Sequence, residues 1–506
     1  MSLINESAIK TPGVYVTEID AFPPSIAQVD TIPAFIGYTQ KALDTNAKNL
    51  PLDVNGNNLT NIPTQITSLL DYETYFGKEQ KETGLTITIE QTTDANDNVL
   101  TEKITPAFTA KKQSNHTMYA AIRFFYDNGG GMCYIVSIGP YKANAGDALV
   151  PADFTAGLEA VKKEDDITLI IFPEGQKLPL NTDLYTLQSS ALNLCADPNL
   201  QDRFCILDLY ETGADVHTNN DLTTVTKAFR DHIAPTFDES LNYGAAYFPN
   251  LVSKYPYSDD ENNTVISHTV TKTTNPPGPG DFNGLKLSAL NNAATGNIAM
   301  YNKIEKILNT QFPMLMAPSS AMAGIYSAVD ATRGIWKAPA NVAVQAILGP
   351  AFKISDEMQA DMNINPATGK SINAIRAFTG KGTLVWGGRT LLGNDNNWRY
   401  ISVRRFYIMV EKSVKLAAFR FVFEPNDSNT WVRVRAMIEN YLTNLWSLGA
   451  LAGSKPEKAF YVKVGLGLTM TFDDVLNGKL IIEIGMAPVR PAEFIILRFT
   501  QIQQTA

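Results

Sequence analysis

The side chains that most often carry chemistry are scattered along this 506-residue chain. Its four histidines have no HExxH or other metal-ligand spacing, and none of them is close in sequence to a cysteine. The three cysteines show no CxxC spacing, and an odd number argues against a disulfide framework. These residues are His116, His217, His232, His268, Cys133, Cys195 and Cys205. We therefore predict structural or surface histidines, small buried thiols, no metal site and no cofactor.

The glycine-rich segments do not match the loops that bind phosphate groups. Gly380-Lys381-Gly382 lacks the third glycine of a GxGxxG fingerprint, and Gly129-Gly130-Gly131 precedes a strand pattern rather than a helix. The sequence contains neither a Walker A lysine loop nor a GxSxG nucleophile elbow. The sequence therefore predicts that the chain is not an enzyme. A catalytic group assembled only in the fold stays open as an alternative.

The two ends of the chain carry β-prone segments. Residues 480–499 read LIIEIGMAPVRPAEFIILRF, which is two β-patterned runs separated by a proline-bounded turn. Near the start, Thr11-Pro12-Gly13 precedes the short run VYVTEI at 14–19. A terminal strand can complete a sheet of another subunit, because its backbone N–H and C=O groups can pair there. A strand at each end would link a chain to neighbours on both sides, so this pattern indicates a polymer.

Composition is that of a globular protein with a charge asymmetry. Hydrophobic residues make up 44% and charged residues 18%, and the length predicts two to four domains. The polar start MSLINESAIK is unlike a secretory signal, so we expect synthesis in the cytoplasm and release by another route. Residues 373–506 contain 17 Lys and Arg against 10 Asp and Glu, although the whole chain has a net charge of −9. Because these basic residues are dispersed among apolar ones, we expect a protein partner rather than nucleic acid.

Alternating strand and helix patterns predict an α/β (α+β) multidomain fold. We divide the chain into an N-terminal arm and core strand (1–40), a β-rich insertion (41–115), an α/β middle domain (116–372) and a C-terminal core domain (373–506). The middle domain is interrupted by a polar, Pro- and Gly-rich loop insertion near 253–284.

The C-terminal domain includes a predicted amphipathic helix at 429–448. Its apolar residues recur with helical periodicity, and Gly449 suits the position just after its end. Its polar positions include Arg433, Glu439, Asn440 and Asn444. Either these residues face solvent, or they contact a second protein.

Several longer stretches, taken together and in order, resemble the contractile tail sheath proteins. That family includes the sheaths of contractile phage tails, R-type bacteriocins and extracellular contractile injection systems. The stretches are TPGVYVTEID near the start, AAIRFFYDNGGGMCYIVSIG in the middle, KAPAN at 337–341, INAIRAFTGKGTLVWGGRTL at 372–391, WRYISVRRFYIMVEKSV at 398–414 and GMAPVRPAEFIILRF at 485–499.

This resemblance implies a homo-oligomer of stacked hexameric rings around an inner tube protein, with baseplate and terminal cap proteins as further partners. It implies neither nucleic-acid binding nor direct membrane insertion, and contraction would drive the tube through a target envelope without nucleotide hydrolysis. Terminal strands would be donated to neighbouring subunits, and the helix at 429–448 would contact the tube through Arg433, Glu439, Asn440 and Asn444. The donated residues would be Val14, Tyr15, Val16, Ile19, Phe494, Ile495, Ile496, Leu497 and Phe499.

Two other classes of protein stay open. A non-contractile shell or surface-layer protein would also be polymeric and linked by strands. An α/β enzyme with an insertion would form a discrete oligomer with a deep pocket. The sequence does not separate a phage tail from an injection system.

Overall fold

The computed structural model describes residues 26–45, 52–53, 56–109, 113–144, 146–211, 219–272, 277–292 and 294–497. Within these residues the chain forms two compact units. The large unit runs from Asp30 to Ile408 and includes residues 490–497. The small unit consists of Met409–Val489 together with residues 26–29.

The strands are β1 (Pro33–Thr39), β2 (Thr64–Ile66), β3 (Leu85–Thr93), β4 (Val99–Phe108), β5 (Cys133–Pro140), β6 (Leu169–Ile171), β7 (Phe204–Asp208), β8 (Gly244–Phe248), β9 (Leu251–Pro256), β10 (Val265–Lys272), β11 (Gly278–Pro279), β12 (Pro313–Met316), β13 (Ile347–Pro350), β14 (Ile372–Phe378), β15 (Gly382–Trp386), β16 (Phe460–Val464) and β17 (Ile482–Met486). The α-helices are α1 (Leu69–Phe76), α2 (Met118–Asp127), α3 (Pro151–Val161), α4 (Asn181–Ala196), α5 (Asn219–His232), α6 (Leu287–Leu290), α7 (Ile298–Gln311), α8 (Ser319–Arg333), α9 (Asp356–Asn363), α10 (Ile401–Ala418), α11 (Ser428–Ser447), α12 (Pro456–Ala459) and α13 (Phe472–Leu476).

An eight-stranded sheet forms the centre of the large unit. Its strand order is β15-β14-β8-β7-β6-β1-β5-β2, and its inner strands are parallel while β15 and β2 run antiparallel at the edges. Helices lie on both faces: the Phe35 ring meets Phe125 of α2, whereas the next residue, Ile36, lies beside Gly157 of α3. Successive strand residues point to opposite faces. Every residue of β1 is therefore buried, as its apolar run predicts.

A second sheet in the large unit has the order β11-β10-β3-β4 and its own apolar core with α6 and α7. The polar segment near 253–284, predicted as a loop insertion, here includes β10, which pairs in parallel with β3. Its inward residues are Ile266 and His268. The buried His268 ring is accommodated by hydrogen bonds to the Gln91 side chain (3.0 Å) and from the Phe282 N–H (3.2 Å). The polar composition did not predict this strand, because one of its two inward positions is occupied by a histidine whose ring is hydrogen-bonded rather than by an apolar residue.

The small unit is built on α11 and the antiparallel pair β16–β17. Helix α11 begins at the cap Asp427, whose carboxylate accepts the Thr430 N–H at 3.0 Å, and it is followed by Gly449 with a φ of 81°. Its buried residues are Thr430, Val434, Met437, Ile438, Tyr441, Leu442 and Leu445. The predicted helix at 429–448 is confirmed within one residue at each end. The predicted α/β fold class is likewise confirmed.

Candidate functional site: assembly surfaces

We call residues 490–506 the C-terminal arm, and its described part, 490–497, exposes four consecutive apolar side chains. Phe494, Ile495, Ile496 and Leu497 are between 65% and 79% exposed, and they lie in no helix or strand. Burying an apolar side chain of this size is favourable by about 1.5–3 kcal/mol, so a soluble subunit seldom exposes a run of them without a partner. The other residues predicted for donation lie outside the described part of the chain. They are Val14, Tyr15, Val16, Ile19 and Phe499.

The residue just before this exposed run is firmly held in the large unit. Arg389 donates from Nη2 to Glu493 Oε2 at 2.6 Å and from Nε to both carboxylate oxygens at 2.9 and 3.1 Å. Asn363 donates to Oε1 at 2.7 Å and the Tyr400 hydroxyl to Oε2 at 3.3 Å. Burial acts to raise the pKa of Glu493, but the hydrogen bonds from Arg389 and Asn363 outweigh it and hold that pKa below its usual range.

Strand edges are available in the small unit. Among the described residues, β16 and β17 pair only with each other, so each strand has one edge along which no other described strand lies. Such an edge presents backbone N–H and C=O groups in the spacing that an added strand requires. The outer edge of β16 could therefore accept an added strand.

The predicted tube-contact residues divide between two flanks of α11. At 100° per residue, Arg433, Asn440 and Asn444 fall on one stripe, while Glu439 lies about a third of a turn away. Arg433 is paired with Glu424 at 2.9 Å, and Glu439 with Arg435 at 2.8 Å. The structure thus brings three of the four predicted residues together and separates Glu439 from them.

The basic excess of residues 373–506 has a partly internal explanation. Arg376, Arg389 and Arg405 form ion pairs with Asp356, Glu493 and Asp330, and the three arginine side chains are 3–13% exposed. Two of these acids, Asp356 and Asp330, precede residue 373 in sequence. Two of the seven excess positive charges (17 − 10) are therefore paired inside the large unit.

Sequence reasoning missed Arg389 and Glu493 as partners. They are 104 residues apart, and neither belongs to a spacing motif. The available signal was a single charge inside each of two otherwise apolar or glycine-rich stretches, WGGRTL and PAEFII. Such a charge must be paired if the stretch is buried.

Few features of the described residues suggest catalysis or membrane insertion. No group of three or more His, Cys, Asp or Glu in this part of the chain could hold a metal ion. All three thiols are buried, as predicted. None of the helices that the structure describes is both long and apolar enough to cross a bilayer.

Comparison with known proteins gives one consistent family. Residues 393–502 match the family model of the phage tail sheath C-terminal domain. A curated tail sheath protein of Vibrio phage KVP40 is 28% identical over 130 residues, which is 26% of this chain and only 19% of that relative's length.

Solved structures extend the similarity to almost the whole chain. The sheath complex of PVC, an extracellular contractile injection system, in its contracted state is 29% identical with a TM-score of 0.60, and the match covers 97% of this chain and 98% of that one. The helical sheath of the anti-feeding prophage (AFP), also contracted, is 28% identical with a TM-score of 0.58, covering 97% and 99%. The resemblance drawn from the sequence is therefore confirmed: the C-terminal part of the chain matches a tail sheath family model, and almost the whole chain is similar to solved structures of contractile sheaths.

Proposed function

We propose that this sheath subunit polymerises into a helical tube around an inner tube protein and drives that tube through a target envelope by contraction. The single observation that carries the proposal is the exposed apolar arm at Phe494–Leu497. A contact that passes from one copy to the next without closing produces a filament. An exposed apolar arm that binds a neighbouring copy would make such a contact.

The arm would bind by adding a strand to the β16–β17 pair of a neighbouring subunit. Backbone hydrogen bonds along the outer edge of β16 would supply affinity, and alternate side chains of the arm would fix the register. Phe494 and Ile496 would face one side of the extended sheet and Ile495 and Leu497 the other. The N-terminal run at 14–19 would make the equivalent connection at a second edge.

Contraction would exchange one packing of largely rigid bodies for another, and new contacts between subunits would release the energy. The two compact units provide such bodies. On this account neither nucleotide hydrolysis nor any other catalysis is required of the sheath. Assembled particles that contract on mild denaturation after complete removal of nucleotides would support it, and a strict need for nucleoside triphosphate would refute it.

The other partners follow from the same assembly. One solved relative of this chain is part of the AFP baseplate, at 28% identity and a TM-score of 0.58. We assign to this chain a baseplate protein and a terminal cap protein as contacts at the ends of the tube, and an extracellular particle as its final location. The stripe Arg433, Asn440 and Asn444 is our candidate for the inner-tube contact, with Glu439 as a second contact on the other flank.

The decisive experiment removes residues 494–506 and keeps Glu493. We expect a subunit with an unchanged circular dichroism spectrum and melting temperature that forms no tubes by electron microscopy or sedimentation, whereas the full chain forms hollow, ring-stacked tubes. As a matched control, Phe237→Asp changes a single apolar side chain that is 69% exposed elsewhere in the large unit, and it should still assemble.

Tubes from the truncated chain would refute strand donation by this arm. Flat lattices or closed shells from the full chain would instead favour a non-contractile shell or surface-layer protein. Discrete, compact particles from a folded full chain would favour an enzyme.

A further inference from the structure

The C-terminal arm changes character between two adjacent residues. The Glu493 side chain is 20% exposed and accepts hydrogen bonds from Arg389, Asn363 and Tyr400, whereas Phe494 is 65% exposed. Two of the stretches that resemble sheath proteins, 372–391 and 485–499, meet here in the fold. Strand addition by residues 494–497 does not itself require the contact between Arg389 and Glu493. This contact therefore needs a separate explanation.

The contact is stronger than an ordinary surface ion pair. Arg389 approaches the carboxylate with two of its nitrogens, and its side chain is only 3% exposed. Paired, charge-assisted hydrogen bonds of this kind fix orientation as well as distance. The third guanidinium nitrogen of Arg389, Nη1, donates to the Gly393 carbonyl at 2.9 Å, so the guanidinium itself cannot easily rotate away.

Arg389 is in turn fastened to the central sheet. Its backbone N–H donates to Asn373 Oδ1 at 2.8 Å, and Asn373 Nδ2 donates back to the Arg389 carbonyl at 2.8 Å and to the Ala246 carbonyl of β8 at 3.1 Å. Asn373 belongs to β14. The approach is so close that a Cβ at Gly387 would lie 2.7 Å from Asn373 Oδ1 and 2.9 Å from its Cα. A continuous line of hydrogen bonds thus joins Glu493 to two strands of the eight-stranded sheet.

We propose that Glu493 is a positioning residue which fastens the C-terminal arm to the body of its own subunit, so that the donated strand begins at Phe494 and tension on it passes through Arg389 and Asn373 to the central sheet. The inference rests on the proposed function, since a fastened root matters only if the arm binds a neighbour. A fixed root keeps the arm at a high effective concentration near its acceptor, whereas a loose root dilutes it.

The fastening can be tested on the isolated subunit. Ala492 is exposed and the native thiols are buried, so Ala492→Cys accepts a nitroxide spin label beside the contact. We expect the slow label motion of an ordered backbone in the parent, and the fast motion of a mobile terminus in Glu493→Ala and, more weakly, Glu493→Gln. Glu159→Ala, which removes an exposed carboxylate from α3, is the matched control and should leave the motion unchanged. An equally slow label in all variants would overturn the proposal.

The consequence for assembly is measured on tubes. Loosening the root should raise the concentration of subunit needed for tube formation by about tenfold in Glu493→Ala, and leave it unchanged in Glu159→Ala. Arg389→Ala should have a similar effect, and the double variant should be little worse than either single one, because both remove the same contact. Additive effects would overturn the assignment of Arg389 and Glu493 to one fastening.

A general structural role predicts something different. In that case Glu493→Ala would lower the melting temperature of the subunit and weaken its assembly, while the label at residue 492 would move as slowly as in the parent at temperatures where both are folded. That result would also overturn the proposal. If the parent chain forms no tubes, the proposed function fails, while the spin-label experiment still decides whether Glu493 fastens the arm.

Discussion

The buried arginine pairs of the large unit and the exposed pairs of α11 differ in almost every physical respect. Arg405 reaches both Asp330 oxygens, at 2.5 and 3.2 Å, in a site where the two side chains are 4% and 10% exposed. Arg433 and Glu424 approach each other through one oxygen with side chains 56% and 41% exposed. Water and salt screen the second kind of pair and hardly reach the first.

The burial of an ion pair determines whether it can be replaced by a contact with another protein. Removing one partner of a buried pair leaves an uncompensated charge, so such a pair is suited to a connection that persists through assembly and contraction. An exposed pair contributes little, and its charges can turn to a partner protein at small cost. We therefore assign permanent connections, including the fastening of the arm, to the large unit, and replaceable contacts to α11.

The largest expected effect comes from opening the buried pair. Arg405→Ala leaves Asp330 with the Thr31 hydroxyl as its one side-chain partner among the described residues. It also removes the cation from above the Tyr326 ring, 4.5 Å from its centroid. We expect a loss of about 3–5 kcal/mol in the free energy of unfolding of the large unit. Denaturant-induced unfolding followed by near-ultraviolet circular dichroism measures it.

The matched control for this prediction is Arg435→Ala, which opens the exposed pair with Glu439 and should cost about 0.5 kcal/mol or less. The double variant Arg405→Met/Asp330→Asn removes both charges and should be closer to the parent than Arg405→Ala. Equal losses for Arg405→Ala and Arg435→Ala would remove the distinction between the two kinds of pair.

The same comparison explains what could be predicted from the sequence. Strand β1 and helix α11 are specified locally, one by a continuous apolar run and the other by helical periodicity with an Asp cap and a following glycine. The position of α11 agrees with the helix predicted at 429–448 to within one residue at each end.

The contacts that organise the candidate sites are not local. Arg405 and Asp330 are 75 residues apart, and β10 pairs with β3 across 179 residues, as Val265 and Thr86 illustrate. No period or motif reports such pairs, because each side looks like an isolated charge or a polar strand until the fold brings them together. The basic excess of residues 373–506 led us to predict a partner surface because the sequence shows each charge but does not show which opposite charge it pairs with.

A smaller effect on the free energy of unfolding is expected from a buried acid that forms no ion pair with any described residue. This effect depends on pH. Asp208, at the end of β7, is 4% exposed and accepts the Ser319 N–H at 2.9 Å, and burial raises its pKa to about 7. Because its pKa in the folded chain lies above the unfolded value, the folded form holds the proton more tightly. Its contribution to stability is therefore present at low pH and is lost as pH rises through 7.

We expect the free energy of unfolding of Asp208→Asn, relative to the parent, to rise by about 1 kcal/mol between pH 6 and pH 9. The difference between the two proteins cancels the other titrating groups they share. Urea unfolding at both pH values measures it. Asp197→Asn is the control and should show no such rise, because this half-buried acid has its pKa lowered by hydrogen bonds from Asn199. A constant difference for Asp208→Asn would contradict the assignment of a raised pKa.

The smallest effect on the free energy of unfolding of the subunit is expected from a substitution on α11. The same substitution should have a clear effect on the binding of the sheath to the tube. Arg433→Glu faces Glu424 with a like charge and should lower the free energy of unfolding by less than about 1 kcal/mol, because both side chains remain in water. If the stripe of Arg433, Asn440 and Asn444 contacts the tube, the same change should release the sheath from the tube in the extended state. Co-sedimentation of sheath with tube at low and physiological salt measures the release.

Arg435→Glu makes the same charge change two residues away, beside Glu439 on the other flank of the helix. It should cost a similar small amount of stability and keep more of the tube bound than Arg433→Glu does. Equal release by both variants would mean that the helix acts through its net charge rather than through one stripe. Unchanged extended assembly in Arg433→Glu would remove this stripe as the tube contact, while the fastening of the arm, which depends on buried charges of the large unit, would be unaffected.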